Sequence, residues 1–185
     1  MSQFKLEVVP DTDPMNPRKE YDHLGKMVCF HNRYELGDKT DLKSSMFGSW
    51  EELKQHLIKK EKASVILPIY MYDHSGLTVK TSPFSCPWDS GQIGFIYCTD
   101  AQIRSNYCVK RITAPLRVMV HAALDAEVLQ YDKYLRGDYW GYNIINEDEE
   151  VVESCFGFDD EDYCRKEGEA ALENCMLLSA EARCI

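Results

Sequence analysis

A chain of 185 residues, 44 % hydrophobic and 28 % charged, is long enough to bury a core and too apolar to remain disordered. No stretch approaches the ~18 consecutive apolar residues of a membrane-spanning helix, and a formal net charge of −10 disfavours general attraction to DNA, RNA or anionic lipid. That charge is unevenly placed: residues 1–145 hold 18 acidic and 18 basic side chains, whereas residues 146–185 hold 13 acidic and 3 basic.

The start, Met1-Ser2-Gln3-Phe4-Lys5, has no basic segment followed by an apolar stretch, so the expectation is a protein that stays in the cytoplasm. Pro10, Pro14 and Pro17, with Asp11, Asp13 and Asn16 between them, predict an irregular N-terminal segment over 1–25. Met27-Val28-Cys29-Phe30 predicts a short strand within 26–31, and the polar, glycine-containing stretch 32–48 a loop. Ser49 and Glu52 have capping-box spacing, and Trp50, Leu53, Leu57 and Ile58 recur at helical intervals as far as Lys60. Val65, Ile66, Leu67 and Ile69 predict a strand over 64–72, in which Pro68 points to an edge or a bulge. Asp73-His74-Ser75-Gly76 is a turn sequence leading to a returning strand over 77–81. A Pro/Ser/Gly-rich loop (82–91), a strand (92–99) and a short helix capped by Thr99 or Asp100 come next. The longest helix begins at Thr113 with Pro115 in its first turn, and Gly137 stops it. Its apolar stripe comprises Leu116, Val120, Leu124, Val128, Tyr131 and Leu135. Strands over 139–145 and 151–158 form a hairpin with a charged tip, and a final helix covers roughly 160–178.

This order lacks regular β-α-β alternation. It predicts an α+β fold with a mainly antiparallel sheet and flanking helices, as one domain over 1–185 whose C-terminal part (146–185) is acidic.

Potential chemistry concentrates in two places. Tyr72, Asp73, His74, Trp88, Asp89 and Gln92 lie on loops between strands, where ligand-binding groups commonly sit, and His74 has Asp73 and Asp89 as potential partners. The same residues also make good turn and sheet-end structure, so the stretch is a candidate ligand-binding site rather than a catalytic one. Cys86 is the one cysteine in a turn-rich segment, but no neighbour marks an activating base. The eight cysteines lack C-x-x-C or zinc-ribbon spacing and read as free thiols. Asp11, Asp13, Asn16 and Asp22, with His23 and His31 nearby, begin like a calcium loop, but Pro14 and the missing glycine and bidentate glutamate break the pattern. No phosphate-binding loop, nucleophile elbow or H-E-x-x-H motif is present, so no metal or cofactor is expected.

The second place is the acidic end. Glu147, Asp148, Glu149, Glu150 and Glu153 lie at or beside the hairpin tip, and Asp159, Asp160, Glu161 and Asp162 at the start of the last helix. Nine like charges exceed what a helix dipole needs and form either a solvated face or a docking surface for a basic protein.

Three stretches carry a resemblance: Asn16-Pro17-Arg18 leading to Leu24–His31, Leu67–Phe95 with Tyr72-Asp73-His74-Ser75-Gly76 and Cys86-Pro87-Trp88-Asp89-Ser90-Gly91-Gln92, and Tyr131–Phe158. They resemble an uncharacterised family of small acidic accessory proteins of bacteriophages and plasmids. The resemblance implies a bacterial host cell and a mobile-element context without a known activity. By analogy of context and charge, the expected function is a non-enzymatic inhibitor or adaptor of a host protein, such as a nuclease or other nucleic-acid-binding component. It would be an anti-defence (antirestriction or anti-CRISPR) protein that mimics nucleic acid without binding it. A small-molecule binder or hydrolase using the 72–92 loops is the alternative.

Overall fold

A computed structural model of the chain describes residues 4–182. Its elements are β1 (Phe4–Pro10), α1 (Pro17–Glu20), β2 (Lys26–Cys29), a 3-10 turn (Ser44–Met46), α2 (Trp50–Lys59), β3 (Ala63–Asp73), β4 (Leu77–Lys80), β5 (Ser90–Thr99), α3 (Asp100–Asn106), α4 (Ala114–Arg136), β6 (Trp140–Asn146), β7 (Val151–Phe158) and α5 (Glu161–Ala182). Two antiparallel sheets, ordered β2-β5-β3-β4 and β1-β6-β7, establish the α+β class. No helix among the described residues is long and apolar enough to cross a membrane.

The chain divides into two compact units, residues 16–135 and residues 1–15 with 136–185. The cause lies in the segment expected to be irregular. Phe4, Leu6 and Val8 alternate with Lys5, Glu7 and Val9, a strand period, and β1 pairs along its whole length with β6. The N-terminal residues therefore belong with the C-terminal hairpin.

In the 16–135 unit the four-stranded sheet is covered on both faces. Val65, Leu67, Ile69 and Met71 of β3, with Ile96 and Cys98 of β5, face the stripe Val120, Leu124, Val128 and Tyr131 of α4. Phe95, Tyr97 and Val28 on the opposite face receive Leu53 and Leu57 of α2. The alternation along β5 thus feeds two cores, which is why the strand reads as almost continuously apolar. Pro68 lies beyond the end of β4, which pairs only with Tyr70–Asp73, so its missing N–H falls on a local edge of an otherwise interior strand. Ser49 caps α2 through the Glu52 amide, but the Glu52 carboxylate returns to the Gly48 amide, one residue short of a reciprocal box. At α3 the Thr99–Gln102 box is complete.

A buried ion network ties the segment around α1 to α4. The Arg18 side chain is 1 % exposed. It donates two hydrogen bonds to Asp38 (2.9 and 2.6 Å), one to Glu127 (2.9 Å) and one to the Gly25 carbonyl (2.8 Å). Asp38 also accepts from the Met27 amide, and Glu127 from the Leu24 and Gly25 amides. Burial lowers the affinity of the guanidinium for its proton, yet Asp38 and Glu127 outweigh that and hold Arg18 above its ordinary pKa.

In the other unit α5 packs on one face of the three-stranded sheet, with Cys164, Ala171, Leu172 and Cys175 against Leu6, Tyr142 and Ile144. Gly168, which weakens an isolated helix, is buried where a Cβ would lie 2.6 Å from Leu6 and 3.1 Å from Tyr142, so close helix–sheet approach explains it. On the other face the ring of Phe156 occupies the space above Gly141.

Candidate functional site

The central loops converge at one end of the four-stranded sheet. The β3–β4 turn closes with His74 N–H donating to the Gly76 carbonyl (3.2 Å), and Ser75 and Gly76 take positive φ. The Asp73 amide donates to the Asp89 carbonyl (2.9 Å), joining this turn to the loop before β5, and the Ser90 hydroxyl donates to the Cys86 carbonyl within that loop. His74 Nδ1 lies 3.5 Å from Asp89 Oδ2, whereas Asp73 is taken by Arg33. Of the two carboxylates available from the sequence, His74 therefore meets Asp89. Tyr72 stacks on both His74 and Phe84, and Lys80 sits 4.2 Å from the Phe84 ring centroid. Gln92 donates to the Gly94 carbonyl (3.2 Å).

Asp73, Trp88, Asp89 and Gln92 line a shallow cavity of about 320 Å³ with His31 and Arg33. The last two come from the segment after β2, which the β2–β5 pairing carries to this end of the sheet. Nothing local in the sequence assigns His31 or Arg33 to these loops, because only the strand register brings them there. Trp88 is 90 % exposed, so it does not cover the sheet end.

The arrangement does not make a nucleophile. Cys86 Sγ lies 3.9 Å from Asp89 Oδ2, and the same oxygen faces His74. The carboxylate stands between thiol and imidazole, the reverse of an order in which the imidazole contacts the nucleophile. Cys29 and Cys98 are held as thiols, their pKa values pushed up to about 12 and about 11 chiefly by burial. All seven cysteines in the described residues are unbridged. The residues that began like a calcium loop are used locally: Asp11 accepts from the Asp13 amide, and Asn16 caps α1 through the Arg18 amide. Among the described residues no group of three or more His, Cys, Asp or Glu is placed to hold a metal ion.

The acidic end has a different geometry. Glu147, Asp148, Glu149 and Glu150 are all exposed at the β6–β7 tip. The Asn146 side chain holds that tip by accepting from the Asp148 and Glu150 amides (3.0 and 2.8 Å), and Glu149 takes the left-handed conformation. None of the four acids has an ion-pair partner among the described residues. Glu153 is different: it is half-buried on the α5 side, where it accepts from the Tyr142 hydroxyl and the Cys175 thiol. Asp160 caps α5 through the Tyr163 amide (2.8 Å), and Glu161 pairs with Arg165 (3.0 Å). The tip and the helix start lie at opposite ends of eight-residue β7, roughly 26 Å apart at ~3.3 Å per residue. The nine acids expected to act together are therefore two clusters; at the tip Glu150 accepts from the Asn146 side-chain amide (3.2 Å), and none of the four carboxylates there is ion-paired among the described residues.

No protein-family model matches the chain, and neither the curated proteins nor the solved structures contain a match. The resemblance to phage and plasmid proteins thus gains no support from them, and function rests on the geometry.

The division into units sharpens the charge pattern. The unit built from residues 1–15 and 136–185 carries 17 acidic and 5 basic residues, net −12, while residues 16–135 carry 14 acidic and 16 basic, net +2. Charge and potential ligand chemistry reside in separate units.

Proposed function

We propose that the protein is a non-enzymatic inhibitor or adaptor that docks a basic, nucleic-acid-binding host protein through the acidic hairpin tip. The observation that carries this reading is the set of four consecutive exposed carboxylates, Glu147–Glu150, on a tip pre-formed by Asn146. Mutual repulsion among them costs stability, and no ion pair among the described residues offsets it, Lys5 lying only within coulombic range of Glu149. A protein that only needed solubility would gain as much from dispersed charge. A pre-ordered row of carboxylates steers a cationic surface and loses little conformational entropy on contact. An anti-defence role, in which the tip occupies the place of nucleic-acid phosphate, is the form of the proposal that fits a mobile-element setting.

The test is capture of nucleic-acid-binding proteins from a bacterial host lysate by the native chain and by a variant with Glu147→Gln, Asp148→Asn, Glu149→Gln and Glu150→Gln. The native chain should retain a basic partner that double-stranded DNA displaces, and the variant should not. A second reading, small-molecule binding at the 72–92 loops, is favoured by the exposed Trp88 beside Arg33 and the His74–Asp89 pair. Trp88→Ala and His74→Ala would then abolish ligand binding without altering the fold.

A further inference from the structure

The 16–135 unit holds a larger cavity than the one between the central loops. It lies against the 30–44 loop, has a volume of about 1030 Å³, and is lined by Lys19, Lys26, Lys39, Lys43, Trp50 and Tyr131 among others. No ion pair engages any of the four lysines among the described residues. Glu35, Asp38 and Asp41 share the lining, and Asp38 shares the single charge of Arg18 with Glu127. Four lysines against three lining carboxylates leave a small positive surplus in a protein whose net charge is −10.

We propose that this cavity binds a nucleoside phosphate, its phosphates met by the lysines and its base by the aromatic wall. The wall includes Phe30, stacked on Trp50 at 6.3 Å, and Tyr34, stacked on His31 at 5.0 Å. Planar rings of this kind take a base by stacking, while lysines act as mobile point charges for phosphate. Size allows it, because the volume slightly exceeds the ~300–1,000 Å³ typical of small-molecule sites. Neutral, hydrogen-bonding groups complete the lining. The Tyr131 oxygen accepts from the Gly37 amide (3.2 Å), and burial pushes its pKa up to about 12, so its proton is retained for donation. Cys29, held at about 12 chiefly by burial, adds no competing negative charge.

The shape of the loop is built in. Gly37 has φ +74°, and a Cβ there would lie 2.8 Å from the Met27 carbonyl oxygen, so the chain turns at this point only with glycine. The Gly37–Asp38 turn is held from three sides: by Arg18, by Tyr131, and by the Met27 backbone, whose carbonyl accepts from the Asp38 N–H and whose amide donates to the Asp38 carboxylate.

The site is separate from the acidic tip, so its failure would leave the docking proposal standing. The experiment uses the full chain with Trp88→Phe and Trp140→Phe, leaving Trp50 as the fluorescent reporter. ATP is titrated without divalent cation, in parallel with adenosine, pyrophosphate and a 5′-phosphorylated octanucleotide, and isothermal calorimetry on the native chain provides an independent signal. ATP should bind saturably with Kd below about 1 mM, with adenosine and pyrophosphate each at least about tenfold weaker. Lys39→Ala with Lys43→Ala, both in an exposed loop, should weaken ATP by at least about tenfold while leaving the circular dichroism melt unchanged. Absence of saturable ATP binding, equal binding by the double variant, equal binding of adenosine or pyrophosphate, or an octanucleotide bound about tenfold tighter than ATP would each overturn the proposal.

Discussion

Replacing Arg18 by methionine probes the ion network that ties the α1 segment to α4. The side chain is 1 % exposed, and its two carboxylate partners are 20 % and 14 % exposed, so the network is screened little by solvent. Methionine keeps much of the volume but removes four hydrogen bonds and leaves Asp38 and Glu127 without their cation. Breaking a buried pair from one side costs about 3–5 kcal/mol, a large part of the 5–15 kcal/mol that typically holds a domain. Asp38 and Glu127 still accept from the Met27, Leu24 and Gly25 amides, which keeps the loss at the lower end. The triple variant Arg18→Met/Asp38→Asn/Glu127→Gln should recover about half of it or more, because the carboxamide oxygens still accept from the backbone while no unpaired charge stays buried. Urea denaturation at pH 7, followed by circular dichroism, measures both. A single variant within about 1 kcal/mol of the parent, or a triple variant less stable than the single one, would refute the reasoning.

Gly94→Ala should prevent folding or cost more than about 4 kcal/mol by the same assay, because its Cβ would lie 1.9 Å from the Val28 carbonyl oxygen across the β2–β5 pair. A soluble variant with the parent's denaturation midpoint would contradict the register. Trp88→Ala, at a side chain 90 % exposed, should leave stability within about 0.5 kcal/mol; a larger loss would mean that the ring covers structure. Tyr131 gives a pH signature. Its folded pKa of about 12 exceeds the unfolded value of about 10, so its contribution is complete below pH ~10 and is lost as pH rises through 12. Between pH 8 and 11 the parent should lose about 1.4 kcal/mol relative to Tyr131→Phe, read as a narrowing difference between their urea midpoints. A difference that stays constant would show that the hydroxyl is not held neutral.

Much of this architecture was legible in the chain, for a physical reason: it is written in local periodicity. Val120, Leu124, Val128 and Tyr131 announce one helix face, Leu53 and Leu57 another, and the β6–β7 hairpin follows from two apolar runs around Asn146–Glu150. Strand β1 was obscured by the three prolines that follow or end it, although Phe4, Leu6 and Val8 carry a clean period of two; its pairing with β6 joins opposite ends of the chain. That same long-range pairing places residues 1–15 and 136–185 in one unit.

The candidate sites divide in the same way. His74 and Asp89 were visible as neighbours-to-be on adjoining loops, and Asp73 was visible too, but not that Arg33 would take it from forty residues away. Arg18, Asp38 and Glu127 are 20 and 109 residues apart in sequence, and no local signal marks a basic residue in a Pro-rich segment as the centre of a buried network. The acidic clusters were placed correctly along the chain, but their separation by the length of β7 and the turning of Glu153 toward α5 depend on strand geometry.

The docking claim is tested most directly by the salt dependence of partner binding to the native chain and to the Glu147→Gln, Asp148→Asn, Glu149→Gln, Glu150→Gln variant. The partner is the protein captured from lysate, and affinities are measured at several salt concentrations between about 50 and 200 mM. The account predicts that native affinity falls steeply with salt and that the variant binds at least about tenfold more weakly with a flattened slope. Equal affinity and equal slope for the two proteins would contradict it.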